Sequence, residues 1–362
     1  MRKLLEFLFF IVYGVIVLVF LGAILATVVN PQFAWPFAFL GLGYPVLFIA
    51  LFLYTIILLF RKKKRIVYPA ILLLIGLIAL PNVFNFHFGS TKKEAKANEL
   101  KILNYNVRNF EHYDKTSGAE KRDKIIALIK DESPDILCLQ EAYQHPKHIL
   151  FNSFSSKVDL SNYHFEVGVT AKSGGQFGVA VFSKYPIVES RSYPFGSGGN
   201  VGTQVILDVK GDTISVFNIH LESANIENSY YNYSNQDIDD ISQKEYSQRT
   251  KRVAMQLRDA YMKRSDQAKQ IRKEINETSY PVIVCGDFND TPVSFAYSKV
   301  KGGMQDTFKK GGFGLGNTYP AIPIVRIDHV FASNDFSVNS YQIKKEKISD
   351  HYPIVTTLEL KE

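Results

Sequence analysis

The chain combines two hydrophobic patterns that meet near residue 90. Before that point, three long apolar runs cover about residues 4–29, 37–60 and 66–84. The hydrocarbon core of a bilayer is about 30 Å thick, so roughly 20 apolar residues in a helix can cross it. The runs therefore predict three transmembrane helices, which together form a membrane anchor over residues 1–89.

Two of these runs have an alternative interpretation. The first could be a cleaved signal peptide, but it is longer than the usual apolar region of about 7–15 residues, and no A-x-A cleavage site follows it. The third contains Pro69, Pro81 and Asn82. Pro69 falls in the first turn, where its missing N–H costs little, whereas Pro81 is expected to end the helix. A re-entrant or interfacial segment is the alternative for this run.

A polar segment without periodicity, residues 90–99, is typical of a linker. From residue 100 to 362, short runs rich in Ile, Val, Phe and Tyr are punctuated by Gly, Pro, Asn and Asp, a pattern that predicts β-strands. Helical spacing predicts helices at 120–132 and within about 243–277. Strands mixed with few helices favour an α/β domain of two packed sheets with helices outside. The predicted strands are 100–107, 136–140, 164–169, 178–183, 204–209, 213–220, 281–286, 327–332 and 354–359.

The charge balance argues against a large surface for nucleic acid. The formal net charge is +7, from 42 Lys and Arg against 35 Asp and Glu. Seven of the bases and one acid lie in residues 1–90, which leaves 35 bases and 34 acids in residues 91–362. Proteins that bind duplex DNA usually carry a basic footprint. The two cysteines, Cys138 and Cys285, exclude a disulfide-stapled scaffold, and their apolar neighbours favour core packing.

The basic residues of the anchor predict its orientation. Arg2 and Lys3 precede the first apolar run, and residues 61–65 read RKKKR between the second and third runs. The loop 30–36 carries no charge. Short cytoplasmic loops are enriched in Lys and Arg, so three spans would leave the domain after residue 90 on the extracytoplasmic side. With only two spans, the same domain would be cytoplasmic.

Eight polar side chains come at the ends of apolar runs, where a strand passes into a loop. Taken singly, such residues are most often turn formers or caps. Glu141 is harder to explain in this way, because it follows five largely apolar residues and an unpaired buried carboxylate is costly. The eight residues are Asn106, Glu141, His220, Asp287, Asn289, Asp328, Asp350 and His351.

Together these side chains supply the groups needed to hydrolyse a phosphate ester. Glu141 and Asn106, with Asp350 as a third candidate, offer hard oxygen ligands suited to Mg²⁺ or Mn²⁺. A metal ion there would neutralise the charge that builds up on phosphate in the transition state.

The remaining five side chains cover the proton transfers. Asp287 can take the proton from an attacking water that Asn289 orients. A histidine held by a carboxylate can contact the phosphoryl oxygens, and His351 with Asp328 would make such a pair. His220 could stabilise or protonate the leaving oxygen.

The motifs that carry these residues occur in the order N-x-R, LQE, HLES, GDFNDTP, RIDHVF and SDHYPI. This set resembles the endonuclease/exonuclease/phosphatase superfamily, which includes deoxyribonuclease I, exonuclease III-type abasic-site nucleases, neutral sphingomyelinases and inositol polyphosphate 5-phosphatases. The resemblance covers the chain from about residue 100 to its C-terminus. It implies a four-layer α/β sandwich, in which two packed mixed sheets are flanked by helices and the active site lies at one edge of the sheets.

The resemblance also implies a role for each matching residue. The abasic-site nucleases have an aspartate where this chain has Arg108, which makes that activity less expected and leaves Arg108 as a candidate for substrate binding. The matching positions are Asn106 and Glu141 in the metal site, His220 as the first active-site histidine, Asp287 as the base with Asn289 as its orienting amide, Asp328 as the partner of the final histidine, and Asp350 with His351 as the closing pair.

Three substrate classes remain open at this point. A lipid-headgroup phosphoesterase of the sphingomyelinase type fits a membrane anchor, because tethering raises the effective substrate concentration. An extracytoplasmic nuclease is the alternative, and an inactive membrane-tethered binding module is the least expected. Tyr230, Tyr231 and Tyr233, in the insert after His220, could rest at a headgroup interface or stack on bases. They are further candidates for substrate binding, with a packed surface loop as the alternative.

Overall fold

The structure is a computed structural model that describes residues 2–60, 67–86, 99–145, 149–196, 199–224 and 243–361. The predicted linker therefore lies outside the described residues except for Glu99, and so does the basic segment 61–65. The helices are α1 (Arg2–Leu25), α2 (Pro31–Ala34), α3 (Pro36–Leu42), α4 (Tyr44–Phe60), α5 (Val67–Gly76), α6 (Leu80–Val83), α7 (Gly118–Glu132), α8 (Phe151–Lys157), α9 (Gln243–Glu277), α10 (Phe295–Lys301) and α11 (Thr307–Gly311). The strands are β1 (Asn85–Phe86), β2 (Glu99–Asn106), β3 (Ile136–Gln144), β4 (Asn162–Thr170), β5 (Gln176–Ser183), β6 (Ile187–Pro194), β7 (Val201–Val209), β8 (Asp212–His220), β9 (Val282–Asp287), β10 (Gln305–Asp306), β11 (Phe313–Gly314), β12 (Asp328–Ala332), β13 (Phe336–Ile343) and β14 (Ile354–Leu360).

Two six-stranded mixed sheets form the centre of the molecule. The first sheet has the order β10-β12-β9-β8-β7-β6, and the second has the order β13-β14-β2-β3-β5-β4. Within them, β8 runs parallel to β9 and β2 runs parallel to β3, whereas the other neighbours are antiparallel. Parallel neighbours end at the same edge of a sheet, so polar residues at the ends of these strands are brought together.

Apolar side chains from the facing sides of the two sheets share one core. That core includes Ile102 and Cys138 from the second sheet and Val216, Cys285 and Val330 from the first. Both cysteines are free and buried, as expected of core residues.

Helices cover the outer faces of both sheets. Ile125 of α7 and Phe154 of α8 pack against the second sheet. Ile271 of α9 and Tyr297 of α10 pack against the first. The layer order of helix, sheet, sheet and helix confirms the predicted α/β sandwich.

In the N-terminal region, α1 and α4 pack as an antiparallel pair. The ring of Tyr54 stacks on those of Phe9 and Tyr13, with centroid distances of 4.6 and 4.7 Å. At the other end of the pair, the ring of Phe20 stacks on that of Tyr44 at 5.6 Å. The hydroxyl of Tyr44 donates a hydrogen bond to the carbonyl of Gly76, so α5 ends beside the start of α4.

The expectation of three uninterrupted transmembrane helices needs correction. Among the described helices, only α1 is by itself long and apolar enough to cross a membrane, over Glu6–Leu25 with a mean hydropathy of 3.0. The predicted second span consists of α3 and α4, which meet at an angle of 69° and count as a span only if they are one broken helix. The predicted third span contains α5, whose ten residues reach about 15 Å, half the thickness of a bilayer core. Turns at Gly43 and after Gly76 cause these interruptions.

The N-terminal region packs directly on the two-sheet domain. The side-chain amide of Gln32 donates hydrogen bonds to the Asp266 carboxylate at 2.8 Å and to the Met262 carbonyl at 3.1 Å, both on α9. The side-chain amide of Asn85 donates to the carbonyl of Phe308 at 2.8 Å, and the guanidinium of Arg326 donates to the carbonyl of Asn82 at 2.8 Å. The region is thus held at α2, in its middle, and at its C-terminal end.

A third contact joins α3 to the loop that follows β9. Val293 of that loop is buried in one apolar cluster with Phe20 and Tyr44. A side-chain carbon at Gly41 would lie 2.3 Å from the carbonyl oxygen of Val293. Glycine is therefore needed here so that α3 can approach the backbone of the loop this closely.

Candidate active site

The structure brings the eight predicted side chains together at one edge of the two sheets. Their positions follow from strand register: His220 at the end of β8 lies opposite Asp287 at the end of β9, and Asp287 lies opposite Asp328 at the start of β12. Asn106 ends β2 in the other sheet, and Asp350 and His351 directly precede β14.

Asn106 connects the two sheets at this edge. Its side-chain amide donates hydrogen bonds to Oδ2 of Asp287 at 2.9 Å and to Oε1 of Glu141 at 3.1 Å. Its side-chain oxygen Oδ1 accepts the backbone N–H of Arg108 at 3.0 Å. Asn106 is fully buried, so this bridge fixes the distance between two carboxylates that would otherwise repel each other.

Asp328 and His351 form a buried pair. Nδ1 of His351 lies 2.9 Å from Oδ2 of Asp328, and its Nε2 lies 3.7 Å from Oδ2 of Asp287. Burial alone would lower the pKa of His351, but the carboxylates of Asp328 and Asp287 outweigh burial and raise that pKa well above 6.5. The imidazole is therefore held in its charged form, with Nε2 directed toward Asp287.

His220 faces the same carboxylates from β8. Its Nε2 lies 3.8 Å from Oε1 of Glu141 and 3.8 Å from Oδ2 of Asp287. This nitrogen is buried and has no hydrogen-bond partner among the described residues. Buried polar atoms in native proteins are nearly always paired, so an unpaired one that faces two carboxylates points to a ligand.

A β-bulge directs Glu141 out of the sheet. The register between β3 and β5 shifts between Leu139 and Ala142, and Glu141 has a φ of +47°, in the left-handed region. Its side chain is 32% exposed, in contrast to the buried Asp287. The bulge therefore places a carboxylate where a ligand can reach it.

The edge of the sheets opens into a cavity of about 900 Å³. Glu141, Asn289, Asp350, His351 and Arg108 all contribute to its lining. Nε of Arg108 lies 3.5 Å from Oδ2 of Asp350, so the arginine is held beside the predicted metal residues. The predicted tyrosines 230, 231 and 233 lie outside the described residues.

Asn289 is fixed by its backbone and by its side chain. Its N–H donates to Oδ1 of Asp287 at 2.8 Å, and its side-chain amide donates to the carbonyl of Leu221 at 3.0 Å. Its own carbonyl accepts a hydrogen bond from the guanidinium of Arg264. The loop after β9 is thereby tied to β8 and to α9.

Arg264 was not singled out in the sequence. It is 2% exposed, its Nε lies 3.4 Å from Oδ2 of Asp290, and its guanidinium lies over the ring of Tyr261 at 4.6 Å. The available signal was its spacing, because it falls on the helical face that also carries Tyr261, Ala268 and Ile271. An arginine on an otherwise apolar helix face needs a buried partner.

Thr318 and Tyr319 also support the site without belonging to a predicted motif. The hydroxyl oxygen of Thr318 accepts the backbone N–H of Asp328 at 3.1 Å. The ring of Tyr319 meets the ring of His351 edge to face, with centroids 5.2 Å apart. Both residues lie in an irregular segment, where sequence pattern carries no information on packing.

Two groups of side chains are candidates for holding a metal ion. Asp287, Asp328 and His351 have ligand atoms within 4.8 Å of one another, but the histidine and Asp328 are already hydrogen-bonded to each other. Glu141 offers carboxylate oxygens at the cavity, and this donor chemistry fits Mg²⁺ better than an imidazole does. Asn106, the second predicted ligand, directs its side-chain nitrogen toward Glu141, and its side-chain oxygen accepts the backbone N–H of Arg108.

Comparison with family models matches residues 103–351 to the Endonuclease/Exonuclease/phosphatase family and residues 4–83 to a domain of unknown function (DUF8431). Sequence comparison with curated proteins finds no match.

Several solved structures share the fold. An endonuclease/exonuclease/phosphatase from Bacteroides vulgatus is 19% identical with a TM-score of 0.54, and the match covers 73% of this chain and 99% of that one. The human Nocturnin catalytic domain with bound sulfate anion is 17% identical with a TM-score of 0.53, covering 73% and 95%. A mannosyl-6-phosphatase from Bacteroides thetaiotaomicron is 18% identical with a TM-score of 0.50, covering 73% and 100%. At these identities the similarity establishes the fold.

The matched family segment spans more than half of the chain and contains all eight side chains of the site. The chain therefore belongs to the Endonuclease/Exonuclease/phosphatase family, whose members are metal-dependent phosphoric ester hydrolases.

Proposed function

We propose that the chain is a membrane-anchored, Mg²⁺-dependent phosphoesterase that cleaves phosphodiester or phosphomonoester bonds of lipid headgroups. The observation that carries this proposal is the Asn106 amide, which bridges the carboxylates of Glu141 and Asp287 within 3.1 Å. The charged His351 lies beside this bridge. Carboxylates, an amide and an imidazolium at one strand edge are suited to activating water against a phosphate.

Glu141, Asn106 and Asp350 are the residues that would hold Mg²⁺, or Mn²⁺ in its place. Their side chains carry the oxygen donors that these hard cations prefer. Glu141 and Asp350 present these oxygens at the cavity, whereas Asn106 would present its oxygen after its side-chain amide turns over. A bound divalent ion supplies neutralisation of the charge on the phosphoryl oxygens. Arg108 adds a fixed positive charge at the same side of the cavity, 3.5 Å from Asp350, and can contact the anionic substrate.

The proton transfers belong to side chains that the fold already orients. Asp287 accepts the proton of the attacking water, and Asn289 positions that water through its location next to Asp287. His351, kept charged by Asp328, donates a hydrogen bond from Nε2 to a phosphoryl oxygen. The unpaired Nε2 of His220 stabilises or protonates the leaving oxygen.

The lipid substrate is supported by the contacts between anchor and site. Leu42 of α3 lines the same cavity as Glu141 and His351, and α3 packs on the loop that carries Asn289. A substrate in the bilayer surface would be near this cavity whenever α1 is in the membrane. The near-neutral charge of residues 91–362 disfavours a polyanionic nucleic acid.

The test uses the full-length chain in lipid vesicles that contain sphingomyelin or phosphatidylcholine, with plasmid DNA as the competing substrate. Native protein is expected to release the headgroup in the presence of Mg²⁺ and to stop when EDTA is added. Asp287→Asn should lower the rate by about 10²- to 10⁴-fold, the usual contribution of a general base. Asp131→Asn, an exposed carboxylate on α7, is the matched control and should keep the native rate.

Three outcomes would revise the proposal. A native rate in Asp287→Asn would contradict the assignment of the base. Nicking of DNA without headgroup release would keep the chemistry and replace the lipid by nucleic acid. Hydrolysis that persists in EDTA would contradict the metal dependence.

A further inference from the structure

The catalytic cavity has an apolar wall that the proposed chemistry does not use. Leu42 from α3 and Ile322 from the segment before β12 both line it, and they are 39% and 48% exposed. Leu257 of α9 and Val325 extend the wall. The cavity that holds the carboxylates and histidines therefore also offers a hydrocarbon-like surface.

The segment around Ile322 is apolar and exposed over four consecutive residues, 321–324, which read Ala-Ile-Pro-Ile. Two backbone hydrogen bonds fix it: the N–H of Ile322 donates to the carbonyl of Tyr319 at 3.1 Å, and the N–H of Val325 donates to the carbonyl of Ile322 at 3.0 Å. Tyr319 packs edge to face on His351. An exposed apolar segment is thus held in a defined position next to a catalytic side chain.

The N-terminal region supplies the other part of this apolar wall, through α3. Leu42 is the last residue of α3, and the ring of Phe39 on the same helix meets the ring of Tyr261 at 5.4 Å. Tyr261 also lines the cavity. Through α3, the apolar wall is continuous with the helices of the anchor, and this continuity identifies a lipid as its occupant.

We infer that Leu42, Ile322 and Ile324 form an apolar lip at the cavity. The lip binds the hydrocarbon part of an amphiphilic phosphoester while the phosphate of that substrate contacts the catalytic side chains. This inference rests on the proposed phosphoesterase function and defines its substrate class. A solvent-exposed cluster of this kind gains binding free energy by covering methylene groups, about fourfold in affinity for each one that becomes fully buried. A nucleotide or a sugar phosphate offers no hydrocarbon chain to cover.

The test compares methyl, butyl and octyl 4-nitrophenyl phosphodiesters with full-length protein in nanodiscs of one lipid composition. Partitioning into the nanodisc is the same for every variant, so differences between variants report the lip alone. The ratio of kcat/KM for the octyl ester to that for the methyl ester is expected to fall at least about tenfold in Leu42→Gln and in Ile322→Ser/Ile324→Ser. Val188→Ser, on β6 and 66% exposed, is the matched control and should keep the native ratio.

The outcomes separate this inference from the function on which it rests. If native protein hydrolyses no ester of the series, the proposed function fails. If it hydrolyses the esters but the octyl-to-methyl ratio is equal in native protein and in both lip variants, the lip is overturned and the function stands. The two lip variants lie on different elements of the structure. A thermal unfolding scan shows whether each variant is folded, and if one is not, the octyl-to-methyl ratio of the other variant still tests the lip.

Discussion

Glu141 and Asn289 adopt left-handed backbone conformations, with φ of +47° and +50°, that residues other than glycine adopt infrequently. Such conformations persist only where surrounding contacts hold them, and they cluster at functional sites. At Asn289 the contacts are hydrogen bonds to Asp287 and Leu221. At Glu141 the β-bulge between β3 and β5 is responsible. In both cases the strain turns a polar side chain toward the cavity rather than into the sheet.

Glu141→Gln keeps the shape of that side chain and removes its charge. If Glu141 is the main anionic ligand, the Mg²⁺ concentration for half-maximal hydrolysis should rise by roughly tenfold or more. A titration of initial rate against Mg²⁺ measures this directly. Glu120→Gln, exposed on α7, should leave the titration at its native midpoint. An unchanged midpoint in Glu141→Gln would remove this residue from the metal site.

His329, next to Asp328 on β12, ties stability to pH. Its Nδ1 accepts from Arg326 at 2.9 Å and its Nε2 donates to the carbonyl of Asp290 at 3.1 Å, so the ring must be neutral. Burial, and then the charge of Arg326, lower its pKa to about 3. The unfolded chain, with a pKa near 6.5, therefore binds more protons than the folded one below pH 6.5, and stability falls as the pH drops.

Between pH 7 and pH 5 this histidine should account for a loss of about 2 kcal/mol in the free energy of unfolding. The measurement is the unfolding midpoint of the full-length chain in denaturant at the two pH values. In His329→Gln the part of the pH dependence that comes from the ring disappears, although the variant is less stable at both. If the variant and the native chain lose equal free energy over this interval, the ring is not the titrating group.

At the scale of elements, all interior strands of the two sheets could be predicted, whereas of the edge strands only β4 could. Both faces of β8 and β9 are buried, so their sequences are continuous apolar runs. The strands β6 and β13 were missed. They lie at the edges of their sheets and read IVESRSYP and FSVNSYQI, with mostly exposed or half-buried side chains. An edge strand has a neighbour on one side only, so its sequence need not be apolar.

The residues of the site likewise include some that the sequence predicts and others that it does not. The eight predicted side chains could be found because each lies at one end of an apolar run that is visible in the sequence. Arg264 and Thr318 could not, since their roles depend on packing between segments distant along the chain. The contact between α3 and Val293 was equally hidden, because a glycine in an apolar helix gives no sign of which backbone it approaches.

That contact yields a prediction about the anchor. A valine at position 41 would collide with the Val293 carbonyl oxygen, 2.3 Å from a side-chain carbon there, and with the side chain of Ala26 at 2.7 Å. Overpacking of this kind costs about 1–3 kcal/mol and shifts backbone. The shifted backbone belongs to the loop of Asn289, so Gly41→Val should lower kcat by about tenfold or more. In α1, Gly14 has open space around it, and Gly14→Val is the matched control. Equal kcat in the two variants would mean that α3 does not position the loop.

At the scale of the whole molecule, the contacts between the N-terminal region and the two-sheet domain restrict the topology that the proposed membrane anchor can have. Gln32, between α1 and α3, lies 2.8 Å from Asp266 on α9. A contact of this length cannot be made across a hydrocarbon core of about 30 Å, so the loop at 30–36 and the catalytic domain belong on the same side. A two-span anchor would separate them. Gly76, at the end of α5, lies beside Tyr44 at the start of α4, which places this point of the chain near the loop 30–36, although α5 alone is too short to cross a bilayer.

The basic residues then predict on which side of the membrane the loop 30–36 and the two-sheet domain lie. Lys3 lies at the start of α1, and the basic residues 61–65 follow α4 in the sequence. Positive charge at these positions favours the cytoplasm for them. Single cysteines at Phe33, Glu120 and Lys3 test the arrangement in intact spheroplasts, because Cys138 and Cys285 are buried and silent toward a membrane-impermeant maleimide. Phe33→Cys and Glu120→Cys should be labelled directly, and Lys3→Cys only after permeabilisation. Labelling of the first two from opposite sides would contradict the contacts with α9. Labelling of both only after permeabilisation would keep those contacts and reverse the orientation, which would confine the substrate to the cytoplasmic leaflet.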